Sequence, residues 1–284
     1  MNDVLVFGRT GQVARELQHL APVLALGRDA ADLAQPGACA AAIYAHHPRA
    51  VINAAAYTAV DRAEGEEGLA TTINGTAPAE IAAACAALNV PLVHISTDYV
   101  FPGSGQAPWA PDDAAAPANA YGRSKWASEQ GIRARGATHA ILRTSWVFSA
   151  HGNNFVKTML RLSDTCDEIS VVEDQIGGPT PARAIAAACL SIAQQLQDAP
   201  DKTGTYHLSG APDASWYSFA REIITAAGRP TRVRGIPTSA YPTPAARPLN
   251  SRLDCIATTA TFGLPRPDWH AGLKECLTEL GVIT

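Results

Sequence analysis

Residues 4–7, Val-Leu-Val-Phe, run directly into Gly8-Arg9-Thr10-Gly11-Gln12-Val13-Ala14. A short apolar run, a glycine turn and then a helix-forming stretch (Gln12 to Leu20) open a parallel α/β sheet, because a buried strand needs a crossover helix to return. The glycines let the backbone turn tightly and approach a phosphate. The helix that starts there offers free amides and a positive dipole end to an anion. The spacing is G-x-x-G-x-x-A, not G-x-G-x-x-G, so in isolation an ordinary glycine turn would read the same way. Its place between a strand and a helix favours a dinucleotide site, with Gly8, Thr10, Gly11, Gln12 and Val13 as candidate contacts.

The alternation continues through the first half. Residues 23–26, 50–54, 91–96 and 140–143 read as apolar strands. Residues 36–46 and 64–88 read as helices, the second interrupted near Gly75 and Pro78, and another helix carries Tyr121. A loop rich in Pro, Asp and Ala fills 102–117. Apolar strands alternating with helices predict a parallel sheet covered on both faces, the doubly wound (Rossmann) α/β architecture. After about residue 150 the pattern loosens. Residues 154–162, 181–197 and 217–227 look helical, 169–172 and 206–208 extended, and 230–248 is rich in proline, the composition of an irregular binding surface. The expected organisation is a dinucleotide-binding domain over 1–150, also receiving 181–208, interleaved with a smaller substrate-binding lobe over 151–284. Ligands in this architecture bind at the carboxyl ends of the strands.

Lys and Arg number 22 against 26 Asp and Glu, a net charge of −4 with no basic run, so nucleic acid is not an expected partner. Apolar stretches fall short of the ~18 residues of a membrane span. The start Met1-Asn2-Asp3-Val4 has neither the basic residues nor the apolar core of a signal peptide, and a cytoplasmic location is expected. The six cysteines include no C-x-x-C pair. Cys39, Cys85 and Cys189 lie in alanine-rich helical stretches, as small buried residues do.

The second strand ends at Leu26-Gly27-Arg28. An acidic side chain there would bind the 2′-hydroxyl of NAD. Gly27 cannot, whereas Arg28 can pair with a 2′-phosphate, which favours NADPH over NADH; a solvated arginine is the alternative. Asp32 and Leu33 follow at the place of the adenine. Ala55, Ala56, Tyr57 and Thr58 close the third strand, and small residues there let a cofactor lie across the strand edge.

Tyr121 and Lys125 are four apart and share one helix face. An ammonium near a phenol favours the phenolate and would lower its pKa from the ordinary value of about 10. Thr97 ends the fourth strand, placed to hydrogen-bond a substrate oxygen or that phenol. With the glycine turn, Ser96-Thr97-Asp98-Tyr99-Val100-Phe101 and Tyr121-x-x-x-Lys125 resemble the extended short-chain dehydrogenases that act on nucleotide sugars. More narrowly, residues 53–61, 143–148, 152–159, 237–244 and 247–253 are similar to those of the dTDP-4-dehydrorhamnose reductase family, and the resemblance spans essentially the whole chain.

The resemblance implies an NADPH-dependent reduction of the C4 ketone of a dTDP-linked 4-keto-6-deoxy sugar. Tyr121 would supply the proton, Lys125 would hold the nicotinamide ribose, and Thr97 would bond the reacting oxygen or tune Tyr121. NADH is a possible second cofactor. The resemblance also puts Trp146 and Asp98 at the sugar, and Asn154, Arg247 and Arg252 at the nucleotide and diphosphate. A core tryptophan and structural ion-pair arginines are the competing readings. Residues 175–180 form either a tight turn beside the sugar or a purely structural one. Some members of the family dimerise around magnesium held by glutamates. Glu16 and Glu279 match two of those places, but Arg183 stands at the third, and a guanidinium cannot ligate a cation. No metal is therefore expected, and either a monomer or a homodimer. Another nucleotide-sugar 4-reductase or epimerase, or a non-catalytic dinucleotide-binding regulatory subunit, are the alternatives.

Overall fold

A computed structural model describes residues 3–284. The chain starts β1 (Val4–Phe7), α1 (Gln12–Leu20), β2 (Leu24–Leu26), α2 (Ala38–His46) and β3 (Ala50–Asn53). There follow α3 (Val60–Ala63), α4 (Glu67–Thr71), a π-helical turn (Thr72–Thr76), α5 (Ala77–Leu88), β4 (Leu92–Thr97), α6 (Ala120–Arg133) and β5 (His139–Thr144). The second half holds β6 (Val147–Phe148), α7 (Phe155–Ser163), β7 (Glu168–Val172), β8 (Ile176–Gly177), β9 (Thr180–Pro181), α8 (Ala182–Asp198) and β10 (Gly204–His207). It ends with β11 (Ala214–Ser215), α9 (Trp216–Ala226), β12 (Arg232–Ile236), β13 (Asn250–Ser251), α10 (Ile256–Phe262) and α11 (Trp269–Glu279).

The central sheet has the order β10-β5-β4-β3-β1-β2, and every neighbouring pair is parallel. This is the doubly wound architecture expected from the strand–helix alternation. Leu5, Phe7, Val51, Leu92 and Ile141 pack against α2, α5 and α6. Val6, Ile52, Val93, Ala140 and Leu142 pack on the opposite face against α1 and α8. The pleat, with side chains alternating between faces, produces this division. The strand order reverses between β1 and β3, the switch point where such sheets open a crevice. Gly8 turns the chain there with φ of 108°, and a Cβ on it would meet the Ala54 carbonyl carbon at 3.3 Å.

Residues 181–208 supply α8, which packs on α1, and β10, which extends the central sheet beside β5. The rest of the second half forms a separate core in which α7, α9 and α11 enclose Phe148, Phe219, Ile223, Trp269 and Leu273. Three features depart from the expectations. The break near Gly75 is a π turn within continuous helix, with Gly75 close against Ala127 of α6. The proline-rich segment contains a regular strand, β12, running parallel to β7. Its charged residues Arg232 and Arg234 mask it as a strand. Helices α10 and α11 were not anticipated, because only a few apolar residues anchor each one.

Candidate active site

A cavity of about 1140 Å³ runs along the carboxyl ends of β1 to β5. All the residues selected for the dinucleotide line it: Gly8, Thr10, Gly11, Gln12, Val13, Arg28, Asp32, Leu33, Ala55, Ala56, Tyr57 and Thr58. Thr97, Asp98, Tyr121, Lys125 and Trp146 line its other end. Strands that end at one level bring together residues far apart in sequence.

At the first end, Gly11 begins α1 without a side-chain cap, so the first amides of the helix are not taken by a cap. Arg28 is exposed and only loosely associated with Asp32, at 4.0 Å. Arg9, which sequence reasoning passed over, lines the same wall and pairs with Asp29 at 2.9 Å. A Cβ on Gly27 would lie 3.0 Å from Arg9 Cζ, so the glycine makes room for that guanidinium. The π turn has its own task. Asn74 accepts from Tyr57 N at 2.7 Å and donates to Tyr57 O at 2.9 Å, fixing this part of the wall.

Tyr121 is the second residue of α6, whose N-terminus is capped by Asn119 Oδ1 accepting from Gly122 N at 2.8 Å. Its ring meets that of Tyr99 edge-on at 5.5 Å. Burial pushes the Tyr121 phenol up to about 12, opposed by a hydrogen bond with Thr97 and reinforced by the charge of Asp98. Lys125 is buried and donates to Ile95 O at 2.7 Å. Burial lowers its ammonium to about 8 against the pull of Glu129. The expectation that Lys125 lowers the Tyr121 pKa is therefore corrected: burial raises the phenol, and the lysine, whose ammonium donates to the Ile95 carbonyl, is not among the groups that shift it. Thr97 Oγ1 donates to Asp98 Oδ1 at 3.0 Å, and burial raises the Asp98 carboxyl to about 6 despite that bond. Asp98 Oδ2 and Thr144 Oγ1 are buried at this end without hydrogen-bond partners.

Trp146 adopts a left-handed backbone, φ 49°, and stacks on Trp216 with ring centroids 3.7 Å apart. Gly177 permits this, since a Cβ there would come within 2.8 Å of the indole. Trp216 gave no sign of this in the sequence. Three candidates stand outside the cavity wall. Arg247 pairs with Asp61 at 2.6 Å and keeps Nη1 buried without a partner. Asn154 caps α7, accepting from Lys157 N at 3.1 Å and donating to Gln12 at 2.9 Å. Arg252 donates to Asn250 at 3.0 Å and lies 3.7 Å from Asp213.

The glutamates implied for magnesium do meet near α1, but with a different cation. Arg183 Nη1 lies 3.6 Å from Glu16 Oε2, and His151 Nε2 lies 3.6 Å from Glu16 and 3.4 Å from Glu279. Two imidazoles, His19 and His151, and a guanidinium border the buried carboxylate. That set does not suit a hard cation that prefers oxygen ligands.

A parallel sheet with a glycine turn at its switch point, and a Thr, Tyr and Lys at the far end of one cavity, define a dinucleotide-dependent oxidoreductase of the short-chain dehydrogenase type. Residues 1–282 match the family described as RmlD substrate binding domain. The chain is 42% identical over 299 residues to dTDP-4-dehydrorhamnose reductase of Escherichia coli strain K12, with 99% of each chain covered. It superposes on the crystal structure of a dTDP-4-dehydrorhamnose reductase from Clostridium acetobutylicum with a TM-score of 0.91 at 35% identity, covering 98% of this chain and 99% of the other. The enzyme of that name from Bacillus anthracis, solved in complex with NADP, gives 0.90 at 34% identity, covering 98% and 100%. The chain belongs to the dTDP-4-dehydrorhamnose reductase family.

Proposed function

We propose that the protein reduces the C4 ketone of dTDP-4-dehydro-L-rhamnose to dTDP-L-rhamnose. When bound, NADPH supplies the hydride. The residues of the chain bind, orient and protonate. Gly8, Gly11 and the start of α1 receive the pyrophosphate, and Arg9 and Arg28 face the 2′-phosphate. Lys125 holds the nicotinamide ribose.

Reduction places negative charge on the former carbonyl oxygen, where fixed donors act most strongly. Tyr121 gives its proton to that oxygen. A phenol held near 12 is fully protonated at neutral pH, as a donor must be. Thr97 lines the same end of the cavity, its Oγ1 held by Asp98 Oδ1 and Tyr99 N, and is assigned to the reacting oxygen beside Tyr121. Trp146, on its Trp216 backing, offers an apolar face to the 6-deoxy sugar. Asp98 Oδ2 and Thr144 Oγ1 are available to sugar hydroxyls. Arg247, outside the cavity wall and paired with Asp61, would reach the diphosphate only by turning its unpartnered Nη1 toward the cavity.

The observation that carries this reading is the convergence of Thr97, Tyr121 and Lys125 at one end of a cavity whose other end holds the glycine turn. A cytoplasmic location follows from a dTDP-sugar substrate and NADPH. Among the described residues no helix is long and apolar enough to cross a membrane. Neither a monomer nor a homodimer requires a metal in this reading. The test is to follow NADPH absorbance with dTDP-4-dehydro-L-rhamnose and identify the product by NMR. Formation of the C4 epimer would redirect the reading to another 4-reductase, and no NADPH oxidation would overturn it.

A further inference from the structure

His94 lies directly beneath Lys125, and the mechanism above gives it no part. It stands in β4 opposite Asn53 of β3 and Ile141 of β5, wholly buried. An imidazole in the middle of a parallel sheet is costly unless its nitrogens are paired. Nδ1 lies 3.1 Å from Asn53 Nδ2. Nε2 lies 3.0 Å from Ser128 Oγ and 3.2 Å from Lys125 Nζ.

The contacts assign the protons. Asn53 Oδ1 accepts from Ala55 N at 3.2 Å, so the atom turned to His94 is the amide nitrogen, which only donates. Nδ1 therefore accepts, and a neutral ring carries its proton on Nε2. Ser128 donates its hydroxyl proton to Lys125 O at 2.5 Å and has a lone pair left for Nε2–H. The ring is neutral, because burial and the charges of Lys125 and His139 hold it well below the ordinary histidine range. The Lys125 ammonium thus meets an N–H at Nε2 and not a lone pair. Ile95 O is then its one acceptor among the described protein groups beneath the cavity.

We propose that His94 is a positioning residue for the reaction: fixed as the Nε2–H tautomer by Asn53 and Ser128, it denies Lys125 an acceptor below the cavity floor and so directs the ammonium protons into the cavity. This rests on the role given to Lys125 above. The same contacts tie Ala55 on the cavity wall to Lys125 through Asn53 and His94. The other titratable groups around the pair are Glu129 and Tyr121 on α6, His139 at the start of β5, and Asp98 after β4. Glu129 is already bonded by Arg143 at 2.6 Å and Arg133 at 2.8 Å.

The experiment is NMR of the full chain labelled with ¹⁵N at histidine and lysine, in the absence of substrate. Lys125 is one of four lysines, with Lys157, Lys202 and Lys274, so its signal can be assigned. The expected wild-type result is a His94 ring in the Nε2–H form that does not titrate across neutral pH, and a Lys125 Nζ that titrates near 8. His94→Gln can place an amide oxygen where Nε2 stood. Its Lys125 midpoint then rises by about one pH unit, with the alkaline limb of kcat moving alongside it. An Nδ1–H ring or an imidazolium in the wild type overturns the inference without any variant. So does a folded His94→Gln protein in which the Lys125 midpoint stays in place. The NMR results do not depend on turnover. The expected signals in a protein that fails to oxidise NADPH would support this inference while overturning the reductase reading.

Discussion

Lys125 Nζ donates to the main-chain oxygen of Ile95 at 2.7 Å, one helical turn along α6 from the Tyr121 phenol. The lysine charge is held at the strand and Tyr121 keeps its proton, which suits a donor in a reduction. Tyr121→Phe should retain NADPH binding within about twofold and lower kcat by about 10²- to 10⁴-fold, the usual contribution of a placed acid. Cofactor fluorescence titration and turnover measured on the same preparation check this. Turnover within a factor of ten of wild type would remove Tyr121 from the proton step.

The lowered Lys125 pKa makes activity and stability respond to alkali in opposite directions. As pH rises through about 8 the folded lysine loses its charge, and kcat should fall. Between about 8 and the ordinary value of 10.5 the unfolded chain binds a proton that the folded chain does not, so this group's contribution to stability rises with pH. A kcat profile recorded beside thermal melts at the same pH values separates the two. A loss of activity that follows a loss of Tm would instead mean simple unfolding.

Much of this site could be read from the chain, and the parts that could not have physical causes. Gly8, Gly11, Thr97, Tyr121 and Lys125 announce themselves because strand ends and helix starts leave strong local signals. His94 reads from the sequence as a paired histidine in a buried strand, which it is, but its approach to Lys125 joins distant segments and leaves no local signal. Arg9 was hidden inside the glycine turn, and Trp216 and the π turn around Asn74 act through contacts between distant segments. Sequence resemblance suggested Asn154 as a ligand contact, but its local signal, an Asn just before a helix, is that of an N-cap, and it caps α7.

Asp98 carries a buried carboxylate at a cost. Its folded pKa of about 6 lies above the ordinary 3.8, so the folded chain binds the extra proton between those values. The stability this group contributes is full below about 4 and is lost as pH rises through 6. Asp98→Asn removes the cost of the charge. It should raise stability at pH 8 on the order of 1–3 kcal/mol, a gain that vanishes below about pH 4. Denaturant melts at the two pH values test the sign. Turnover should fall even so, because the acceptor offered to the sugar is weakened.

Arg9 and Arg28 line the cavity beside Gly27, and in the proposed function they are assigned to the 2′-phosphate. A charge-assisted contact of this kind contributes about 1.5–3 kcal/mol. Arg28→Ala should weaken NADPH binding by about tenfold or more and leave NADH unchanged, and adding Arg9→Ala should widen the loss. Kd values for both cofactors, measured at one ionic strength, provide the comparison. An equal loss for both would mean that the arginines hold the pyrophosphate or the fold and not the 2′-phosphate.

Gly122 lies between Tyr121 and the rest of its helix, and it lets α6 approach the loop after β4. A Cβ at that position would collide with the carbonyl oxygen of Tyr99 and come within 3.0 Å of Pro117. Neither neighbour can yield easily, since one is backbone and the other a ring closing the loop. The Asn119 cap fixes the helix start from the other side, through the amide of Gly122 itself. Gly122→Ala must therefore move the helix or the Tyr99 loop. Either movement displaces Tyr121 from Thr97. The expected cost is about 1–3 kcal/mol of stability, the range for overpacking, or roughly 2–10 °C in Tm. Catalysis should suffer more than the melt suggests, because an offset of about 1 Å at the proton donor can cost on the order of 10²-fold in rate. The measurement is kcat at a temperature well below the lowered Tm, beside NADPH affinity. A variant with normal kcat and only a reduced Tm would show that the close contact serves folding alone.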